Sequence, residues 1–283
     1  MPLARVVVLA AAATLAPAAL LPQAQALGAR AAAAEPDYDG LINRHAPAIV
    51  TVKFVLQMSL GGMEDREQET EAFGVLIDPT GLVLVSNTQM GGFVSLMGRR
   101  RGMEVDVKPS KIKVLVGEDT VGVDATLIAR DSDLDLAWIR LSKPAEKPLP
   151  VLDFAGSTEP KIGDRLFLLA REGRFFDRVP SITQFHVAAV AHKPRALILP
   201  GAQSLGMPVF DDAGKIVGVT VLQLAGEEES GGEGIFGGGS GGPAILPAGE
   251  VVSATKRALE TAEHGGDGAK TEAEPAKKDG SKE

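Results

Sequence analysis

Two serines in this 283-residue chain sit in turns that could expose a nucleophile. Ser204 lies in Gln203-Ser204-Leu205-Gly206-Met207-Pro208-Val209, and Ser240 lies in Gly239-Ser240-Gly241-Gly242-Pro243. A serine hydroxyl attacks a carbonyl when a histidine takes its proton and a carboxylate orients that histidine. The run Asp131-Ser132-Asp133-Leu134-Asp135, leading into an apolar segment, offers the carboxylate. The histidines are His45, His186, His192 and His264. His45 precedes the first strand candidate and His264 falls in a polar tail. His186 and His192 lie on or near one later strand, where a structural role is expected. No carboxylate cluster matches their spacing, so no metal site is expected. The chain has no cysteine, which removes thiol catalysis, disulfides and thiolate metal sites. No cofactor is implied.

These residues need elements to hold them. With 45% hydrophobic residues there is material for a sizeable core. The 33 glycines and 18 prolines favour many turns and an all-β fold. A formal net charge of −8 argues against nucleic acid as a partner. Residues 1–26 read as a signal peptide: Arg5, an apolar stretch over residues 6–21, and the small-x-small site Ala24-Gln25-Ala26, with further Ala-x-Ala options across residues 31–34. Pro17 interrupts the apolar stretch, which is short for a membrane span, so no stable span is expected after cleavage. An exported protein, periplasmic or secreted, is the expectation.

A flexible leader is expected over residues 27–39, one folded domain over 40–263 and a disordered charged tail over 264–283. Residues 45–56 should open the fold as a strand, residues 61–71 read as a loop, and residues 73–85 read as a hairpin turning at Asp78-Pro79-Thr80-Gly81. Residues 91–110 read as irregular. A strand pair is expected at 111–116 and 124–130, then strands at 134–141, 164–170, 181–191, 196–199, 208–210 and 215–224. Residues 226–242 read as a Gly-rich flexible loop. A short strand at 244–247 and a helix at 250–263 close the domain. Short strands at this spacing favour barrels or sandwiches. Arg99-Arg100-Arg101 reads as a solvated charged loop, or else as a dock for an acidic partner or anionic surface.

Several segments together resemble the trypsin-like serine proteases of HtrA/Deg type. Phe73-Gly74-Val75-Leu76-Ile77-Asp78-Pro79-Thr80-Gly81-Leu82-Val83-Leu84-Val85-Ser86-Asn87 looks like the hairpin leading to the catalytic histidine. Asp131 to Ala137 looks like the segment of the catalytic aspartate, at Asp135. Residues 157–168 resemble the opening of a second barrel, residues 201–219 the nucleophile region, and residues 244–247 with the helix the closing segment. The resemblance implies two six-stranded Greek-key β-barrels with a site at their junction and a short C-terminal helix. No PDZ module is expected after this core.

Residue by residue, the resemblance places Thr88 at the histidine, or Gln89 if the register slips by one, and Leu205 at the serine of Gly-Asn-Ser-Gly-Gly-Pro-Leu. Neither Thr88 nor Gln89 takes a proton near neutral pH, and leucine has no nucleophilic oxygen. Gln203 and Met207 stand where the family has the glycines around the oxyanion hole, and their side chains crowd it. Asp135 then reads as a relic that accepts hydrogen bonds from Thr88 and nearby backbone. The implied function is a pseudoprotease binding a peptide or protein in the inter-barrel cleft, with Gln203, Ser204, Gly206 and Met207 lining the site. The alternative is an active endopeptidase using Ser204 or Ser240; the latter leaves too few strands after it for this fold.

Overall fold

The computed structural model describes residues 35–60, 65–100, 102–103, 105–117, 119–145, 147–193, 195–199, 204–224 and 241–264. The signal, most of the leader, Gln203, Ser240, residues 226–240 of the Gly-rich loop and nearly all of the tail lie outside them. Gly241 and Gly242, read as the end of that loop, instead pair with residues 223–224 as the start of a strand.

Helix α1 (Tyr38–His45) comes first, capped by the Asp37 side chain, which accepts from the Gly40 N–H at 2.8 Å. It begins inside the segment read as leader. The capping carboxylate and the single buried Leu41 were too short a signal to read as a helix.

Strands β1 (Ile49–Leu60), β2 (Arg66–Asp78), β3 (Leu82–Ser86), β4 (Val105–Leu115), β5 (Val123–Asp131) and β6 (Leu136–Leu141) close a barrel in the order β1-β2-β3-β6-β5-β4. Two expectations are corrected here. Residues 66–71 form the start of β2 and not a loop, because Glu67, Gln68, Glu69 and Thr70 pair with residues 54–57 of β1. Residues 91–110 are largely regular: helix α2 (Phe93–Arg100) packs on β4, which starts at Val105. Polar strands held by a neighbour's ladder carry little alternation of their own.

The second half contains β7 (Arg165–Arg171), β8 (Pro180–His186), β9 (Ala189–Ala191), β10 (Leu197–Leu199), β11 (Pro208–Phe210), β12 (Ile216–Leu224) and β13 (Gly241–Pro247). They form a curled sheet ordered β8-β7-β11-β12-β13-β10-β9, followed by helix α3 (Ala248–Glu263). The expected second six-stranded barrel is thus a seven-stranded curled sheet. The difference lies in one stretch of chain that breaks at Val187-Ala188. Before the break it pairs with β7; after it, with β10. Val187 exchanges hydrogen bonds with Gly163 and Asp164 on one side, and the Ala188 N–H reaches Leu199 O on the other. One segment therefore serves both edges of the sheet.

Strand alternation explains how the halves join. Val83, Val85, Ala137 and Ile139 face the barrel interior. Leu82, Leu84, Leu136 and Trp138, one residue out of phase, pack with Leu166, Phe167, Val209 and Val219 of the second half. Strands β3 and β6 form a shared wall, buried on both faces, and the site sits at the end of that wall.

Candidate functional site at the junction of the two halves

The ladder of β3 with β6 pairs Ser86 with Leu136. Chain leaving β3 therefore lies beside chain entering β6, and Asp135 meets residues 86–88. Asp135 adopts a left-handed φ of +58°. The preceding turn is shaped by the Asp131 carboxylate, which accepts from the Asp133 and Leu134 N–H groups at 3.1 and 2.9 Å. The Asp135 side chain is buried and accepts from the Ser86 hydroxyl at 2.9 Å, the Thr88 N–H at 2.6 Å and the Leu222 N–H at 2.8 Å. Burial pushes its pKa up; the hydrogen bonds from Leu222, Thr88 and Ser86 act against that.

The second wall is the turn before β11. The Gly206 N–H donates to Thr220 O at 2.7 Å, and the Thr220 N–H to Met207 O at 2.9 Å. The Met207 N–H donates to the Thr220 hydroxyl at 3.0 Å. Thr220 is fully buried, the one hydroxyl within the apolar run of β12. Gly206 has φ +74°, and a Cβ there would lie 3.0 Å from Ser86 N, so the turn packs directly on the end of β3. The Gln89 amide nitrogen donates to Leu205 O across the junction at 3.2 Å, while its Oε1 is buried without a partner among the described residues.

Thr88, Gln89, Asp135, Leu205, Gly206 and Met207 thus converge; Ser204 is exposed at the mouth of the turn. Ser86, quoted in the hairpin motif but given no role there, belongs to the same site, as do Thr220, Leu222 and Gln223, which carry no motif that singled them out in advance. A lone hydroxyl inside an apolar strand was the available signal for Thr220; nothing marked Leu222, which contributes through its backbone.

The histidines are elsewhere. The His45 ring stacks on Phe210 at 4.4 Å, and burial, then the neighbouring Arg44, lower its pKa against an opposing hydrogen bond with the Gly214 backbone. His186 and His192 are exposed. His264 lies at the end of α3, its Nδ1 2.6 Å from Glu260 O. None of the partners described for the Asp135 carboxylate is a histidine. Among the described residues no group of three or more acidic or histidine side chains could hold a metal. No helix among them is long and apolar enough to cross a membrane. Of the arginine run, Arg100 ends α2 and Arg101 lies outside the described residues.

The model of the trypsin-like peptidase domain family matches residues 72–219, just over half of the chain. The chain belongs to this family. The match runs from the hairpin that ends at Ser86 through the turn at Leu205, so it spans both walls of the site. Among solved structures, the "HtrA-type protease AlgWS227A with tripeptide" is 17% identical with a TM-score of 0.52, over 81% of this chain and 64% of that one. The chain therefore matches somewhat less than two thirds of that structure's length. The crystal structure of Deg5 is 16% identical with a TM-score of 0.50, over 76% of this chain and 90% of that one. At these identities the likeness is one of fold. No curated protein matches the chain.

Proposed function

We propose that this trypsin-like domain is an exported, HtrA/Deg-type pseudoprotease that binds extended peptide at the junction of its halves and does not hydrolyse it. The observation that carries the reading is the set of partners around Asp135. In a serine peptidase one imidazole bridges the carboxylate and the nucleophile. Here Thr88 takes the carboxylate and Gln89 takes the backbone of the Leu205 turn. Neither side chain titrates near neutral pH, and Leu205 offers no hydroxyl.

Peptide binding is supported by β12. Its pairing with β11 and the preceding turn ends at Thr220, so residues 222–224 carry β13 on one side and no strand on the other among the described residues. An open strand edge offers main-chain donors and acceptors to an added strand. One HtrA-type structure of this fold holds a tripeptide. Export rests on Arg5, the apolar stretch over residues 6–21 and Ala24-Gln25-Ala26.

The test uses the full chain expressed with its own N-terminus and recovered from the exported fraction, where sequencing should find the first 26 to 34 residues removed, a cut at or between the two small-residue sites. Incubated with unfolded casein and a fluorophosphonate probe, it should neither cleave nor label, while casein-derived peptides bind saturably. Casein hydrolysis or probe labelling that disappears in Ser204→Ala or Ser240→Ala would establish an active endopeptidase instead.

A further inference from the structure

Polar contacts that cross the junction include one from Gln223. Its Nε2 donates to Asp133 O at 3.1 Å, on the loop before β6. The same nitrogen lies 3.4 Å from Leu222 O, the carbonyl of its own neighbour. Alternation along β12 places the polar groups of Leu222 on the side away from β13. Thr220, two residues earlier, bonds the turn before β11 on that side, and the Leu222 N–H points there to Asp135. Leu222 O thus lies on the edge that carries no strand among the described residues, and a primary amide stands over it. That amide gives the carbonyl the kind of hydrogen bond that the N–H of an added peptide strand would give.

From this arrangement we infer that Gln223 is a built-in competitor for the peptide edge. In the unliganded protein its side chain covers Leu222 O and straps β12 to the Asp133 loop. An incoming strand must displace it. This inference rests on the peptide-binding reading of the site and adds its regulation.

The geometry makes the strap releasable. The amide NH2 has two N–H donors; the contact to Asp133 O is near 3.1 Å and the contact to Leu222 O is long, so the cover over that carbonyl is held weakly. The Gln223 side chain is partly exposed, so on release its amide goes to water, and Leu222 O regains a donor from the ligand backbone. Asp133 O is at an exposed residue and is rehydrated. No buried polar group is stranded in the open state. Asp135 and its contact with Leu222 N–H remain in place, so the edge stays positioned while the cover moves.

The experiment measures anisotropy of a fluorescent, unstructured casein-derived peptide titrated with full-length wild type, Gln223→Ala and Gln223→Met. Methionine keeps the length of the side chain and loses the donor. Both variants should bind about three- to tenfold more tightly than wild type, the worth of one modest hydrogen bond. Equal affinity for all three proteins overturns the gate and leaves the binding reading intact. Weaker binding by the variants makes Gln223 a ligand contact and also overturns it. No binding by any of the three overturns both readings. As a measurement that needs no variant, the Gln223 side-chain amide resonances of wild type should shift, and their exchange with solvent speed up, when peptide is added. Resonances that stay put under saturating peptide would refute displacement.

Discussion

A carboxylate that is 3% exposed stays charged only at a cost unless donors surround it. Asp135 has a hydroxyl and two backbone N–H groups, and burial still holds its pKa above the ordinary carboxylate value. For an acid, a raised folded pKa means that the native state keeps a proton over a window where the unfolded chain has lost it. The resulting stabilisation is complete below the ordinary carboxylate range and is lost as pH rises through the raised value. Asp135→Asn presents one carbonyl oxygen to N–H groups that now reach two different oxygens, so one donor faces an NH2. Urea denaturation at neutral pH should show a loss of about 1–3 kcal/mol. The gap between wild type and variant should widen as the pH falls through the window. A gap that narrows on acidification would show that the site favours the charged carboxylate.

At the scale of elements, the turn before β11 is shaped by the left-handed conformation of Gly206 and its contact with Ser86. Gly206→Ala meets both a positive φ and a backbone nitrogen that cannot yield, so a loss of about 1–3 kcal/mol in chemical denaturation is expected. A loss under about 0.5 kcal/mol, the range of a bland surface change, would show that the turn does not rest on β3. Elements with strong alternation or turn chemistry, such as the β2–β3 hairpin and the strands at 208–210 and 216–224, were legible from residue order alone. The polar start of β2 and helix α2 were not, since neighbouring strands supply the hydrogen bonds and surfaces that define them. The break at Val187-Ala188 was equally silent: which sheet edge a strand serves is a long-range property.

Across the whole molecule, α3 joins the two halves by packing against β5, β12 and β13. Its Thr255 hydroxyl accepts from Nε1 of Trp138, the only tryptophan, at 3.0 Å. Thr255→Val preserves shape and leaves that buried N–H without an acceptor. It should cost about 1–2 kcal/mol, with a shift in the emission of Trp138 that reports directly on the seam. Unchanged stability and emission would show that the helix is held by its apolar face alone. Residue order by itself determined the all-β class, the family and the want of a histidine after Ser86-Asn87, because these depend on which side chains exist and how they alternate. Tertiary structure decided that Leu222, 87 residues from Asp135, supplies one of its donors, and that Gln89 and Gln223 reach across the junction. Every residue but proline carries the same backbone N–H, so a backbone donor leaves no trace in the sequence. Only the packing of the two halves decides which of them points at a buried charge.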